Sequence, residues 1–140
     1  MEKRKAVRVF LVEDMSHLKG VIEDLLKSLG DFTVVASAQT EAEAILWLAD
    51  HPESWDLAVI DLVLEQGTGM GVIARTKGRR PGAKVVVFSD YITEGISKYC
   101  LKLGADAAIP KSNMQEFMDF CGSVATQTGI ASWREPNAGA

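Results

Sequence analysis

Short apolar runs alternate with helical patterns along these 140 residues, which predicts an α/β fold, a doubly wound parallel sheet of five strands. Two observations carry the prediction. The first, third and fourth runs are continuously apolar, as strands covered on both faces must be. Between the runs, apolar residues recur at spacings of three and four, which is one face of a helix.

The elements follow in order. Val7-Arg-Val-Phe-Leu-Val12 is the first strand and ends abruptly on two acids, Glu13 and Asp14. Leu18, Val21, Ile22, Leu25, Leu26 and Leu29 form one helical face, closed by Gly30, a residue that tolerates positive φ. Phe32–Ala36 reads as the second strand. Thr40 and Glu43 match a capping box, which opens a helix with Ile45, Leu48 and Ala49 inward. Asp56–Asp61 is the third strand and again ends on an acid. A glycine-containing loop leads into a weaker helix that runs to about Arg80, before the turn Pro81-Gly82 and the fourth strand, Lys84–Phe88. Ile92, Ile96, Tyr99, Cys100 and Leu103 give the fourth helix its inner face, ended by Gly104. Ala107–Ile109 is a short fifth strand. Ser112 and Gln115 form a second capping-box pattern, and Met114, Phe117, Met118, Cys121 and Val124 line the last helix. The pattern dissolves after Gln127, so residues 1–127 are expected to fold as one domain and 128–140, with Trp133, to form a flexible tail.

Composition narrows the function. A chain of 15.2 kDa with 47% hydrophobic and 24% charged residues matches one ordinary globular domain, not a disordered, collagen-like or disulfide-stapled chain. One domain of this length is expected to leave no room for a separate output module. Net charge is -4 and the pI near 5.2, opposite to the balance of a nucleic-acid binder, so no direct DNA contact is expected. No run of about 18 apolar residues offers a membrane span. The two cysteines, Cys100 and Cys121, suit free buried thiols in a reducing compartment, and the cytoplasm is the expected location. Lys3-Arg-Lys5 and Arg79-Arg80 read as solvated surface.

Ligands of open parallel sheets bind outside the carboxyl ends of the strands. Glu13, Asp14, Asp61, Ser89 and Lys111 all fall there, although they span about a hundred residues of sequence. An acid at a strand end can simply cap the next helix. Three of them beside a hydroxyl and a lysine make a chemical set. Clustered carboxylates repel, and a hard cation such as Mg²⁺ relieves that repulsion with one or two carboxylates and several waters. The lysine and hydroxyl then suit a phosphoryl group. Gly67-Thr-Gly-Met-Gly71 lacks the dinucleotide spacing and follows the third strand, so its glycines are expected to let the loop turn beside Asp61. His17 is expected to be a surface residue and not a metal ligand.

Leu11-Val-Glu-Asp14, Val59-Ile-Asp-Leu62, Val87-Phe-Ser89, Gly104-Ala-Asp106 and Pro110-Lys-Ser112, in this order, resemble the response-regulator receiver domain of two-component signalling over roughly residues 6 to 126. The resemblance implies a flavodoxin-like (βα)5 fold of strand order 2-1-3-4-5 in a stand-alone regulator. It implies that Asp61 accepts a phosphoryl group from a histidine kinase or phosphotransfer protein. Asp14 and Asp61 would hold Mg²⁺ directly, Glu13 through water, and the Val63 carbonyl would complete the protein ligands. Ser89 and Lys111 would contact the phosphoryl oxygens. Output would pass to a downstream protein, with homodimerisation through helix 4, strand 5 and helix 5 as one route, and the domain would not be an enzyme beyond its own phosphoryl transfer and slow dephosphorylation.

Four positions depart from the family pattern. Ala108 stands where many receivers place the Tyr or Phe that reports phosphorylation. Proline precedes Lys111 instead of following it, so no cis bond after Lys111 is expected. Asp90 replaces a small residue, and Glu65 a proline. These departures keep a second reading open, a degenerate receiver that binds partners without phosphorylation. Val63, with no polar group to orient water, and the bulky Tyr91 predict a long-lived phosphoaspartate.

Overall fold

The computed structural model describes residues 6–127, so the expected tail with Trp133 and the cluster Lys3-Arg-Lys5 lie outside the described residues. Five strands, β1 (Val7–Val12), β2 (Phe32–Ala38), β3 (Leu57–Ile60), β4 (Lys84–Ser89) and β5 (Ala107–Pro110), pair in parallel in the order β2-β1-β3-β4-β5. The helices between and after them are α1 (Ser16–Leu29), α2 (Glu41–Asp50), α3 (Gly69–Ala74), α4 (Glu94–Leu103) and α5 (Met114–Gln127). This is the flavodoxin-like doubly wound arrangement.

Alternation along the central strands divides the core in two. Phe10, Val12, Ala58, Ile60, Val85 and Val87 face α2, α3 and α4, through Leu48, Val72, Ile73 and Cys100. Val9, Leu11, Leu57, Val59, Val86 and Phe88 face α1 and α5, through Ile22, Leu26, Phe117 and Cys121. Phe88 stacks on Phe117 at 4.1 Å and Phe10 on Trp47 at 4.3 Å, so an aromatic pair pins a helix to each face. Both thiols are free and buried, and burial pushes Cys121 up to about 12, where it carries no thiolate at neutral pH.

Several local expectations change. β2 runs two residues past Ala36 because a register shift between Val9 and Phe10 lets Ala36, Ser37 and Ala38 pair with β1. α3 is only six residues long; Arg75 ends it, and Thr76 and Arg79 continue as turns that bond back to Ile73 and Thr76. α4 begins after Ile92, at an N-cap where the Thr93 hydroxyl accepts from the Ile96 amide. Tyr99, Ala49 and Val21, expected to face inward, are exposed, while Ala44 takes the buried place in α2. The last capping pair is Asn113 with Glu116 in place of Ser112 with Gln115: Asn113 Oδ1 accepts from the Glu116 amide at 3.1 Å. Gly30 does close α1 with a positive φ, 157°, as expected.

The largest correction concerns Arg79-Arg80, which is not a solvated pair. Arg79 donates to the carbonyls of Thr76, Ala83 and Gly104 and to Asp106 Oδ2 at 2.9 Å. Arg80 donates to the Trp55 carbonyl and pairs with Asp56, which also takes Arg8. Both arginines tie the amino-terminal edge of the sheet together, and compositional reasoning cannot see partners that lie about 25 residues away.

Candidate functional site

The opposite, carboxyl-terminal edge carries the chemistry. β1 delivers Glu13 and Asp14, and the Glu13 amide donates to the Ala38 carbonyl of β2 at 3.0 Å. β3 delivers Asp61, whose amide donates to the Val12 carbonyl at 2.9 Å. Ser89 is the last residue of β4, and Lys111 follows β5, with its amide donating to the Ser89 carbonyl at 2.8 Å. Glu13, Asp61, Ser89 and Lys111 are thus each tied by a backbone bond to the neighbouring strand. The five side chains predicted for the site converge, and Val63, predicted through its carbonyl, lies beside them with its amide on Asp61.

Glu13 is 1% exposed, Asp61 6% and Ser89 0%. Oxygens of Glu13, Asp14 and Asp61 lie within 4.8 Å of one another. Lys111 Nζ donates to Glu13 Oε1 and to Asp61 Oδ2, each at 3.0 Å. The Ser89 hydroxyl donates to Asp61 Oδ1 at 2.7 Å, and the Val63 amide donates to the same oxygen at 3.3 Å. Asp14, half-buried, has no hydrogen-bond or ion-pair partner among the described residues. Two of the three carboxylates therefore share one ammonium, and the third has none.

Burial is the largest influence on Glu13 and raises its pKa above the ordinary carboxylate value; Lys111 opposes this and the nearby Asp61 charge reinforces it. Burial pulls Lys111 down, but its bonds to Asp61 and Glu13 outweigh that and hold its pKa above the ordinary lysine value. The pocket is a partly neutralised anionic cluster whose remaining charge a hard cation would balance. Its donors are all oxygen, the set Mg²⁺ prefers, and so they fit that ion.

The remaining residues fall in place around the cluster. His17 is exposed and outside it. Asp90 and Glu65 are exposed, and neither belongs to the cluster of Glu13, Asp14 and Asp61. No peptide bond is cis among the described residues. Ala108 is half-buried against the core of the α2–α4 face. Val63 and Tyr91 are 58% and 72% exposed.

The glycine run expected to turn beside Asp61 does so, through Gly69. That residue lies against the backbone of Asp61, where a β-carbon would sit 2.9 Å from the Asp61 carbonyl carbon, and no side chain can take that place. The glycine run after β3 was the visible signal, but spacing alone could not say which glycine clears which atom.

A parallel sheet that ends in buried acids, a hydroxyl and a lysine defines an α/β domain with a polar, acidic carboxyl-terminal edge. The response regulator receiver domain model matches residues 9–120, and the chain belongs to that family, which serves two-component signalling. A Pseudomonas aeruginosa protein is 30% identical over 112 residues, 79% of this chain and 53% of the relative, so the chain spans about half that relative's length. Chemotaxis protein CheY of Listeria monocytogenes is 26% identical over 105 residues, 75% of this chain and 86% of CheY. Among solved structures, a CheX–CheY–BeF3–Mg complex from Borrelia burgdorferi superposes with a TM-score of 0.70 at 20% identity, covering 81% of this chain and 88% of that one. None of the helices among the described residues is long and apolar enough to cross a membrane.

Proposed function

We propose that the chain is a phosphoryl-accepting response regulator. Asp61 takes the phosphoryl group from a phosphohistidine of a kinase or phosphotransfer protein and passes the signal on by protein contacts. The single observation that carries this reading is the Asp61 carboxylate, buried yet met by Ser89, Lys111 and two further carboxylates. Asp14 and Asp61 would ligate Mg²⁺, Glu13 would act through water, and the Val63 carbonyl would complete the protein ligands; the ion would supply charge for the transferring group.

The residues divide the work. Asp61 Oδ2 faces Lys111 and Oδ1 faces Ser89 and the Val63 amide, so the nucleophile is oriented before the donor arrives. Lys111 is a fixed point charge that can turn from Glu13 to a phosphoryl oxygen over a short distance. The Ser89 hydroxyl can follow the oxygen it already touches. CheY in the Borrelia complex shares this fold and was solved with BeF3 and Mg, which supports the reading. Mass spectrometry after treatment with a small phosphodonor and Mg²⁺ should show one phosphoryl group on the native chain and none on Asp61→Asn. No addition to the native chain would overturn the reading and leave the phosphorylation-independent interaction module.

Slow loss of the group belongs to this reading, because Val63 supplies no polar side chain to orient an attacking water. Phosphate release measured on the purified phosphoprotein should take minutes or longer; loss within seconds would contradict it.

A further inference from the structure

The loop between β3 and α3 is held by a residue from another element. Glu41, first residue of α2, bonds the loop twice: its amide donates to the Gln66 carbonyl at 3.0 Å, and its Oε1 accepts from the Thr68 amide at 2.8 Å. Thr68 is paired in turn with Val63 by an isolated antiparallel bridge, and the Gly69 amide closes the loop on the Leu62 carbonyl at 3.0 Å.

Two glycines make room for this carboxylate. At Gly67, with φ +81°, a β-carbon would lie 2.6 Å from Glu41 Oε1; at Gly71 it would lie 2.6 Å from Glu41 Cδ. The run Gly67-x-Gly69-x-Gly71 therefore divides by task. Its outer members clear Glu41 and its middle member clears the Asp61 backbone.

We infer that Glu41 is a positioning residue for the phosphoryl and metal site. It fixes Thr68, Thr68 fixes Val63, and Val63 presents its amide to Asp61 Oδ1 and its carbonyl to the cation. The last link rests on the metal reading given above. A carboxylate does this better than a neutral acceptor at an exposed position because a charged acceptor makes a stronger bond to the Thr68 amide. Outer partners of metal ligands act by this kind of orientation.

The test compares the native chain with Glu41→Ala, Glu41→Gln, Gly71→Ala and the double variant Glu41→Ala/Gly71→Ala. Mg²⁺ titration should show Glu41→Ala weakened on the order of tenfold and Glu41→Gln, which keeps the acceptor, within about threefold of native. Hydrogen exchange at the Thr68 and Val63 amides should quicken in Glu41→Ala, while core amides of β1 and β3 stay as slow as in the native chain. Gly71→Ala should disturb the loop alone and be tolerated once Glu41 is shortened, the signature of a direct contact. Native Mg²⁺ affinity and native exchange at both amides in Glu41→Ala would overturn the inference. A native chain that neither binds Mg²⁺ nor takes a phosphoryl group would overturn the reading of the site instead, and the exchange rates would still decide whether Glu41 fixes Val63.

Discussion

The two edges of the sheet treat their charges in opposite ways. At the amino-terminal edge Asp56 is met by Arg8 and Arg80, and Asp106 by Arg79, which also caps three carbonyls. At the carboxyl-terminal edge Lys111 pairs with Glu13 and Asp61, while Asp14 beside them has no ion-pair partner among the described residues. Guanidinium groups at the first edge meet each of these acids and stitch distant turns together. The second edge is left short of positive charge at its most buried carboxylates. Matched charge there would stabilise the fold further but would leave nothing for a cation or a phosphoryl group to do.

The largest effect that could break this contrast is on Lys111. Lys111→Ala should lower the rate of phosphorylation by a small phosphodonor on the order of a hundredfold, measured by mass spectrometry over time. The same variant should lose little of its amino-terminal edge, so its α/β circular dichroism should persist. A rate near that of the native chain would place the phosphoryl charge on other groups.

Asp56→Ala probes the other edge and should act on stability alone. It strands two arginines that are about a third or more exposed, so solvent screens part of the loss, and about 1–2 kcal/mol is expected in urea unfolding. Phosphorylation of the folded variant should match native. Burial tends to raise the pKa of Asp56, but Arg8 and Arg80 outweigh it and hold the carboxyl below its ordinary value of 3.8. A depressed carboxylate contributes stability that is complete above its unfolded pKa and is lost as pH falls through the folded one. The native chain should therefore lose this contribution below about pH 4, and Asp56→Ala should lack that part of the acid limb.

Much of the site was legible because its residues sit at the ends of apolar runs. Val12 and Ile60 stop where Glu13 and Asp61 begin, and a parallel sheet brings strand ends to one edge whatever the loops do. Asp14 could be named on the same ground. Glu41 could not, because its partners are Gln66 and Thr68, and a glutamate in the first turn of a helix reads as a favourable charge near the helix dipole. Arg79 and Arg80 were misread for a related reason: an adjacent basic pair in an acidic chain looks solvated until Asp106 and Asp56 are folded beside it.

The sequence by itself determined the alternation of strands and helices, the two-faced burial of the central strands, and the edge at which the acids, Ser89 and Lys111 collect. Those are local properties, set by side-chain period and by where apolar runs stop. Tertiary structure decided which charges are spent and which are held back. Lys111 reaches Glu13 across 98 residues of chain and Asp61 across 50, and Glu41 reaches Thr68 across 27. Pairings at such separations depend on the register of β1, β3 and β5 and on the loop that Glu41 holds, and no window of neighbouring residues contains them.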